Sequence, residues 1–285
     1  MTLQHIGVVG AGTMGNGIAQ ACAVTGLSVT MIDISDAALA RGLKTISGSL
    51  DRLVAKGKMS EADRDAALAR VTTSTDYASL KGADMVIEAA TEDLEIKLRI
   101  LRQVESLVSD GAVLATNTSS ISITQMGAVL NRPDRFIGLH FFNPVPVMAL
   151  VEVICALQTS EATHARAIEF AKALGKSPIT VRNFPGFVVN RILCPMINEA
   201  IFVLQEGLAT AEDIDAGMRL GCNHPIGPLA LADLIGLDTL LAVMNVLHDG
   251  FHDSKYRPAT LLQEMVAAGR LGRKTGRGFY EYTKG

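Results

Sequence analysis

The sequence predicts an α/β protein in which a doubly wound, mostly parallel sheet is followed by an all-helical second domain. Two observations indicate this. Short apolar runs alternate with helical patterns up to residue 183, which is typical of strand–helix–strand units. From residue 184 onward only helical patterns occur. We therefore expect two domains, residues 1–183 and 184–285.

The first apolar run, Ile6–Val9, leads into the turn Gly10-Ala11-Gly12-Thr13-Met14-Gly15, and a helical pattern follows. A strand, a glycine-rich turn and a helix in this order form the context of a dinucleotide-binding fingerprint. Gly10 permits the tight turn, Gly12 lets a pyrophosphate approach the backbone, and Gly15 lets the helix pack on the strand. The sheet is therefore predicted to be of the Rossmann type.

A second apolar run, Ser28–Ile32, ends in Asp33. An acidic residue about 20 positions past the glycines can accept hydrogen bonds from the adenosine ribose. The same charge would repel a 2′-phosphate, so we expect NAD rather than NADP.

Polar residues follow several of the later apolar runs as well. In a parallel sheet the ligand lies outside the carboxyl ends of the strands, so residues that follow different strands converge there. Strands are expected at 83–89, 112–115 and 136–139. The polar residues expected at this edge are Asp33, Glu92, Ser119 and His140.

His140 follows one strand, and Glu152 lies on the next. If the two strands run side by side, the carboxylate holds the histidine in one orientation and supports its protonated form, as a general base requires. Spacing alone leaves open a second interpretation, in which His140 is a core histidine and Glu152 an unrelated carboxylate.

Ser119 and Asn190 are further candidates for holding a substrate oxygen. A capping role suits Ser119 equally well, and a place on the helix surface suits Asn190 equally well.

Composition excludes several classes of protein. The net charge of −3 gives no reason to expect nucleic acid. We expect no signal peptide, because the first strand is predicted to begin near residue 3. The longest apolar stretch, residues 225–244, carries Asp233 and Asp238, so we expect a core or interface segment and not a membrane span. The four cysteines form no CxxC pair, so we expect reduced core residues, no metal site and a cytoplasmic protein.

Several motifs together resemble the L-3-hydroxyacyl-CoA dehydrogenase family, over nearly the whole chain. The strongest is the run His140-Phe141-Phe142-Asn143-Pro144-Val145-Pro146-Val147-Met148. The others, in the family's order, are residues 117–120, 185–191, 224–228 and 274–280.

The resemblance implies a reaction and a set of roles. A (3S)-3-hydroxyacyl-CoA would be oxidised reversibly to the 3-oxoacyl-CoA with NAD. His140 would be the base, Glu152 its orienting carboxylate, and Ser119 and Asn190 the contacts of the 3-oxygen. Arg52 and Lys56, four apart on one helix face, would bind coenzyme A. The cofactor would be bound by Gly10, Ala11, Gly12, Thr13, Met14, Gly15, Asp33, Ala90, Glu92, Lys97, Ser119, Asn143 and Lys274.

The resemblance also implies a homodimer through the second domain. The sequence departs from the family pattern at two positions near the motif: Ala149 stands where the family often has Lys, and Cys155 lies where a charged residue is common.

Two other functions remain open. One is a related dehydrogenase of free hydroxy or sugar acids, against which the Phe141-Phe142 pair and the basic helix face argue. The other is a non-catalytic NAD-binding or structural protein.

Overall fold

The computed structural model describes residues 3–282 and divides the chain between Asn183 and Phe184. The two units are Met1–Asn183 and Phe184–Gly285. Each unit has its own cluster of buried apolar side chains.

The first unit contains a sheet with the strand order β3-β2-β1-β4-β5-β6-β7-β8 among the described residues. Its strands are β1 His5–Val9, β2 Ser28–Ile32, β3 Val71–Ser74, β4 Met85–Glu88, β5 Val113–Thr116, β6 Phe136–Phe141, β7 Leu150–Cys155 and β8 Ser177–Arg182. All neighbouring pairs are parallel except β6 and β7, which are antiparallel. The expected mostly parallel, doubly wound sheet is confirmed.

The first unit has six α-helices among its described residues, and all but the first begin after a Ser or Asp residue that caps them. They are α1 Thr13–Val24, α2 Asp36–Ala55, α3 Glu61–Ala69, α4 Leu94–Glu105, α5 Ile123–Gly127 and α6 Glu161–Ala173. Helices α2, α3 and α4 begin after Ser35, Ser60 and Asp93. Each of these side chains accepts a hydrogen bond from the backbone amide three residues later in the chain. Helix α5 was not expected from the sequence, because five residues are too few to show a period.

Helices α2 and α3 form a hairpin that packs against α1 and the sheet. The buried stripe of α2 consists of Leu39, Gly42, Ile46 and Leu50, whereas its opposite face is exposed. This amphipathic division leaves the basic residues of α2 in contact with solvent.

The sequence placed the end of β6 at Leu139, which is wrong by two residues. Strand β6 continues to Phe141 because β7 pairs with it in antiparallel register, with His140 opposite Glu152 and Phe141 opposite Val151. His140 is therefore part of the strand and not the first residue after it.

The regular secondary structure of the second unit is helical over the described residues 184–282, apart from two isolated bridges near its end. Its helices are α7 Val189–Gln205, α8 Ala211–Gly221, α9 Pro228–Ile235, α10 Leu237–Phe251 and α11 Thr260–Ala267. Helix α7 begins only at Val189, because Gly186 and Phe187 have φ angles of 73° and 50° and form a left-handed turn. No single described helix is long and apolar enough to cross a membrane; α9 and α10 would suffice only as a pair bent by 98°.

Two buried carboxylates organise the second unit. Asp215 accepts hydrogen bonds from the amides of Leu229 and Ala230 at the start of α9. Asp233 accepts from the amides of Phe279 and Tyr280, at 3.0 Å each. The segment that carries the 274–280 motif is thereby bound to the helices.

The cysteines only partly meet the expectation of core residues. Cys22 and Cys194 are buried, and burial raises the pKa of each thiol to about 12. Cys155 is half-buried and Cys222 is exposed. None of the four is in a disulfide in the structure.

We expect Gly15→Ala to destabilise the first unit, because a Cβ at this position would overlap the carbonyl oxygen of Gly10. Overpacking of this kind costs about 1–3 kcal/mol in the free energy of unfolding. The control is Gly12→Ala, where a Cβ meets nothing within 4 Å. Urea unfolding of both variants tests this; equal stability of the two would contradict the packing role of Gly15.

Candidate active site

The carboxyl ends of β1, β2, β4, β5 and β6 lie at one edge of the sheet, because these strands are parallel. The turns that follow them are joined by hydrogen bonds. The Gly10 amide donates to the Ile32 carbonyl, and the Ala89 amide donates to the Val9 carbonyl, at 2.7 Å each. This edge, called the carboxyl edge below, brings together the glycine turn, Asp33 and Ala90.

The glycine turn has the geometry that a pyrophosphate site requires. Gly10 has a φ of 106°, and a Cβ there would overlap the backbone of Ala89 and Ala90. Helix α1 begins at Thr13, directly after the exposed Gly12, which has no side chain to cap it. The first amides of a helix and its dipole favour a bound anion, so these residues fit a dinucleotide phosphate.

Asp33 is tied to the glycine turn. Its Oδ2 accepts a hydrogen bond of 2.8 Å from the Ala11 amide, and its side chain is half-buried. Burial raises the pKa of the nearby Tyr77, and the negative charges of Asp33 and Glu88 add to this shift. A carboxylate at this position would repel a 2′-phosphate, which suits NAD.

Glu92 and Ser119 lie after different strands, β4 and β5, and they meet directly. Glu92 Oε1 accepts hydrogen bonds from the Thr118 hydroxyl at 2.9 Å, the Ser119 amide at 2.6 Å and the Ser119 hydroxyl at 2.8 Å. The sequence placed both residues at one edge but did not show that they bind each other.

Lys97 lies behind Glu92 and is completely buried. Its Nζ is 2.7 Å from Glu88 Oε2 and 3.5 Å from Glu92 Oε2. Glu88 Oε2 also accepts from the Thr116 hydroxyl at 2.7 Å. Sequence reasoning missed Glu88 and Thr116. The available signal was a glutamate at the end of an apolar strand, followed nine positions later by a lysine on the buried face of a helix.

His140 and Glu152 form the buried pair that the sequence could only suggest. His140 Nδ1 lies 2.7 Å from Glu152 Oε2, and the glutamate side chain has no exposed surface. The carboxylate is an acceptor, so His140 donates through Nδ1–H, and in the neutral ring Nε2 carries the lone pair. The arrangement can accept a proton at Nε2.

The loop after β6 carries further residues of the His140–Met148 run. The Phe142 ring lies 4.5 Å from the His140 ring, centroid to centroid. Asn143 is exposed and precedes Pro144 through a cis peptide bond. Asn117 Oδ1 accepts from the Phe141 amide at 2.9 Å and so fastens the end of β6, where this loop begins, to the turn after β5.

The remaining predicted residues belong to other segments of the chain. Arg52 and Lys56 are exposed at the far end of α2, and Arg52 is about 24 Å along the helix from Asp36 at 1.5 Å per residue. Asn190 and Lys274 belong to the second unit. Asn190 is the second residue of α7, and Lys274 donates to Asp238 at 2.7 Å.

Family models match both units. The model of the 3-hydroxyacyl-CoA dehydrogenase NAD-binding domain matches residues 5–184, and the model of the C-terminal domain of the same enzymes matches residues 186–282. The chain belongs to the 3-hydroxyacyl-CoA dehydrogenase family. It is an NAD-dependent dehydrogenase.

Named relatives are similar over almost the whole chain. A 3-hydroxybutyryl-CoA dehydrogenase of Bradyrhizobium diazoefficiens is 50% identical over 98% of this chain and 96% of its own. The human mitochondrial hydroxyacyl-coenzyme A dehydrogenase is 42% identical over 98% of this chain and 91% of its own. The crystal structure of (S)-3-hydroxybutyryl-CoA dehydrogenase from Ralstonia eutropha is 65% identical, with a TM-score of 0.97, over 99% of this chain and 100% of that chain.

We expect Asp33→Ala to weaken the preference for NADH over NADPH by at least about tenfold, since a hydrogen bond to a charged group is lost and the repulsion of a 2′-phosphate disappears. Dissociation constants of both cofactors, measured by fluorescence titration, give the ratio. The control is Asp36→Ala, which removes an exposed carboxylate three residues away. A wild-type protein that binds NADPH more tightly would refute this interpretation of Asp33.

Proposed function

We propose that this dehydrogenase interconverts short-chain (3S)-3-hydroxyacyl-CoA and 3-oxoacyl-CoA thioesters, with (3S)-3-hydroxybutyryl-CoA and acetoacetyl-CoA as its pair. The names of relatives that are 50% and 65% identical over nearly the full chain support the substrate. The observation that supports the chemistry is the buried hydrogen bond of 2.7 Å between His140 and Glu152, which lies close to the carboxyl edge.

In the proposed mechanism His140 moves the proton. NAD, when bound, supplies the hydride acceptor. His140 Nε2 takes the proton of the 3-hydroxyl group as the alcohol is oxidised, and returns it to the 3-oxygen in the reverse direction. Glu152 keeps the ring in one tautomer and stabilises the imidazolium through its negative charge. The contacts of Ser119 and Asn190 with the 3-oxygen remain predictions.

The cofactor would be held by the carboxyl edge. The amides at the start of α1 would face the pyrophosphate, and Asp33 would accept hydrogen bonds from the adenosine ribose. Ala90 and Asn143 are both exposed in turns at this edge. The roles of Glu92, Lys97 and Lys274 in cofactor binding remain predictions.

Coenzyme A would be bound through the exposed face of α2. Arg52 lines a groove on this face together with Arg41, Lys44, Thr45 and Gly48. The three basic side chains of this groove, Arg41, Lys44 and Arg52, lie along one helix face. Such an arrangement suits a ligand that carries several phosphate charges. Lys56 follows Arg52 by one helical turn.

We propose further that the protein is a cytoplasmic homodimer that associates through its second unit. Several large apolar side chains of that unit are exposed: Ile192, Leu208, Leu220 and Leu234. Exposed apolar surface of this kind favours association with a partner.

The function is tested by following acetoacetyl-CoA-dependent oxidation of NADH. Turnover with acetoacetyl-CoA but not with free acetoacetate supports the proposal. Turnover of free hydroxy or sugar acids in preference to thioesters would favour the alternative dehydrogenase class.

His140→Gln is expected to lower kcat by at least about 100-fold, the usual scale of general acid–base catalysis. The dissociation constant of NADH should barely change. Glu152→Gln should act in the same direction and less than additively with His140→Gln, because the pair works as a unit. His164→Gln, which removes a histidine hydrogen-bonded to Thr180, serves as the control. Near-normal kcat in His140→Gln would exclude this residue as the base.

Replacing Arg52 and Lys56 with Gln is expected to raise KM for acetoacetyl-CoA and to weaken its dependence on salt. KM for acetoacetyl-N-acetylcysteamine, which lacks the nucleotide, should stay unchanged. The matched control removes two exposed charges from α4, Arg99→Gln with Arg102→Gln. If both thioesters lose affinity equally, this face of α2 does not bind coenzyme A.

A further inference from the structure

A buried ion pair stands behind the carboxyl edge without any part in the proposed proton transfer. Lys97 and Glu88 have 0% and 1% of their surface exposed, and their charged atoms are 2.7 Å apart. The pair is also well satisfied, since Glu88 accepts from the Ala90 amide at 2.8 Å and from the Thr116 hydroxyl at 2.7 Å. A buried ion pair adds little stability compared with apolar residues of the same size. Its position therefore calls for another explanation.

The pair is joined to Ser119 by a continuous series of contacts. Lys97 Nζ lies 3.5 Å from Glu92 Oε2. The other oxygen of the same carboxylate, Oε1, accepts from both the amide and the hydroxyl of Ser119. The series connects the end of β4, the first turn of α4 and the turn after β5, and it lies wholly within the first unit.

Lys97 adds to the contacts that hold the Glu92 side chain, whose Oε1 already accepts hydrogen bonds from Thr118 and Ser119. The Glu92 side chain is 42% exposed, and exposed glutamates occupy several rotamers. A buried cation beside Oε2 favours the rotamer in which Oε1 faces Ser119. Because a carboxylate is only an acceptor, the hydroxyl hydrogen of Ser119 then points at Glu92.

We infer that the Glu88–Lys97 ion pair is a positioning device which, through Glu92, sets the direction of the Ser119 hydroxyl group. The inference rests on the proposed function, in which Ser119 contacts the bound ligands. With its hydrogen directed to Glu92, the Ser119 oxygen meets a ligand as an acceptor. It can receive a hydrogen bond from an amide N–H of the cofactor, whereas the single hydrogen of the 3-hydroxyl group is the one that His140 takes. It cannot donate to the 3-oxo oxygen without leaving Glu92.

The test replaces both members of the ion pair at once, so that no unpaired charge stays buried. The variant Glu88→Gln with Lys97→Met is neutral and similar in size, and the Gln side chain can keep the contacts with Ala90 and Thr116. We expect kcat/KM for acetoacetyl-CoA, at saturating NADH, to fall by about tenfold. In a Ser119→Ala background the same change should alter kcat/KM by less than about twofold, because coupled residues are not additive. Equal losses in both backgrounds would overturn the inference.

A second buried ion pair provides a matched control. Arg135 and Glu105 are 3.7 Å apart, nearly as buried, and belong to the same unit. Arg135 precedes β6 and Glu105 ends α4, so this pair lies at the opposite edge of the sheet. Glu105→Gln with Arg135→Met should leave kcat/KM within about twofold. A loss as large as that of the Glu88–Lys97 variant would assign both effects to general destabilisation and would contradict positioning.

Two further measurements decide the inference if turnover or folding fails. A crystal structure of the Glu88–Lys97 variant needs no activity: Glu92 should have moved away from Ser119, and an unchanged separation of 2.8 Å would refute the inference. This outcome is independent of whether acetoacetyl-CoA is the substrate. If that variant does not fold, Glu92→Ala changes only a half-exposed side chain. It should lower kcat/KM as Ser119→Ala does, with no further loss in the double variant; additive losses would refute the inference.

Discussion

The parallel hydrogen-bond ladder that joins β2, β1, β4, β5 and β6 is the constraint on which the rest of the first unit depends. Parallel pairing makes every one of these strands end at the same edge. Residues that are far apart in the sequence, such as Asp33 and Ser119, are therefore placed in turns at the same edge. The turns are then locked to one another by backbone bonds, as between Gly10 and Ile32. Binding groups are held here by rigid strands and not by loops alone.

The one antiparallel pair in the sheet has a separate consequence. Because β7 returns directly along β6, Glu152 stands opposite His140 in the register. A βα unit would have separated the two residues by a helix and turned the next strand the other way. Side chains directly across a strand pair are close enough to touch, and the pair is buried. The change of strand direction therefore brings the histidine and its carboxylate together.

Buried charge recurs in the first unit, and each example is balanced by a partner. Glu152 has His140, Glu88 has Lys97, and Glu105 has Arg135. Unpaired, such groups would be too costly to bury. The first two pairs lie close to the edge where ligands are proposed to bind, and the third lies at the other edge. In the second unit Asp215 and Asp233 are satisfied by backbone amides instead, and there they bind the C-terminal segment.

The sequence by itself determined the fold class, the glycine turn, Asp33 and the convergence of residues that follow parallel strands. These features depend on local periodicity and on a general rule of sheet topology, so they can be predicted from the sequence alone. Only the tertiary structure decided which side chains touch. The pairing of His140 with Glu152 required the strand direction of β7. The burial of Lys97 against Glu88, and the hydrogen bonds between Glu92 and Ser119, required the packing of α4 on the sheet. A contact between residues distant in sequence depends on register, rotamer and burial, and none of these has a local signature in the chain.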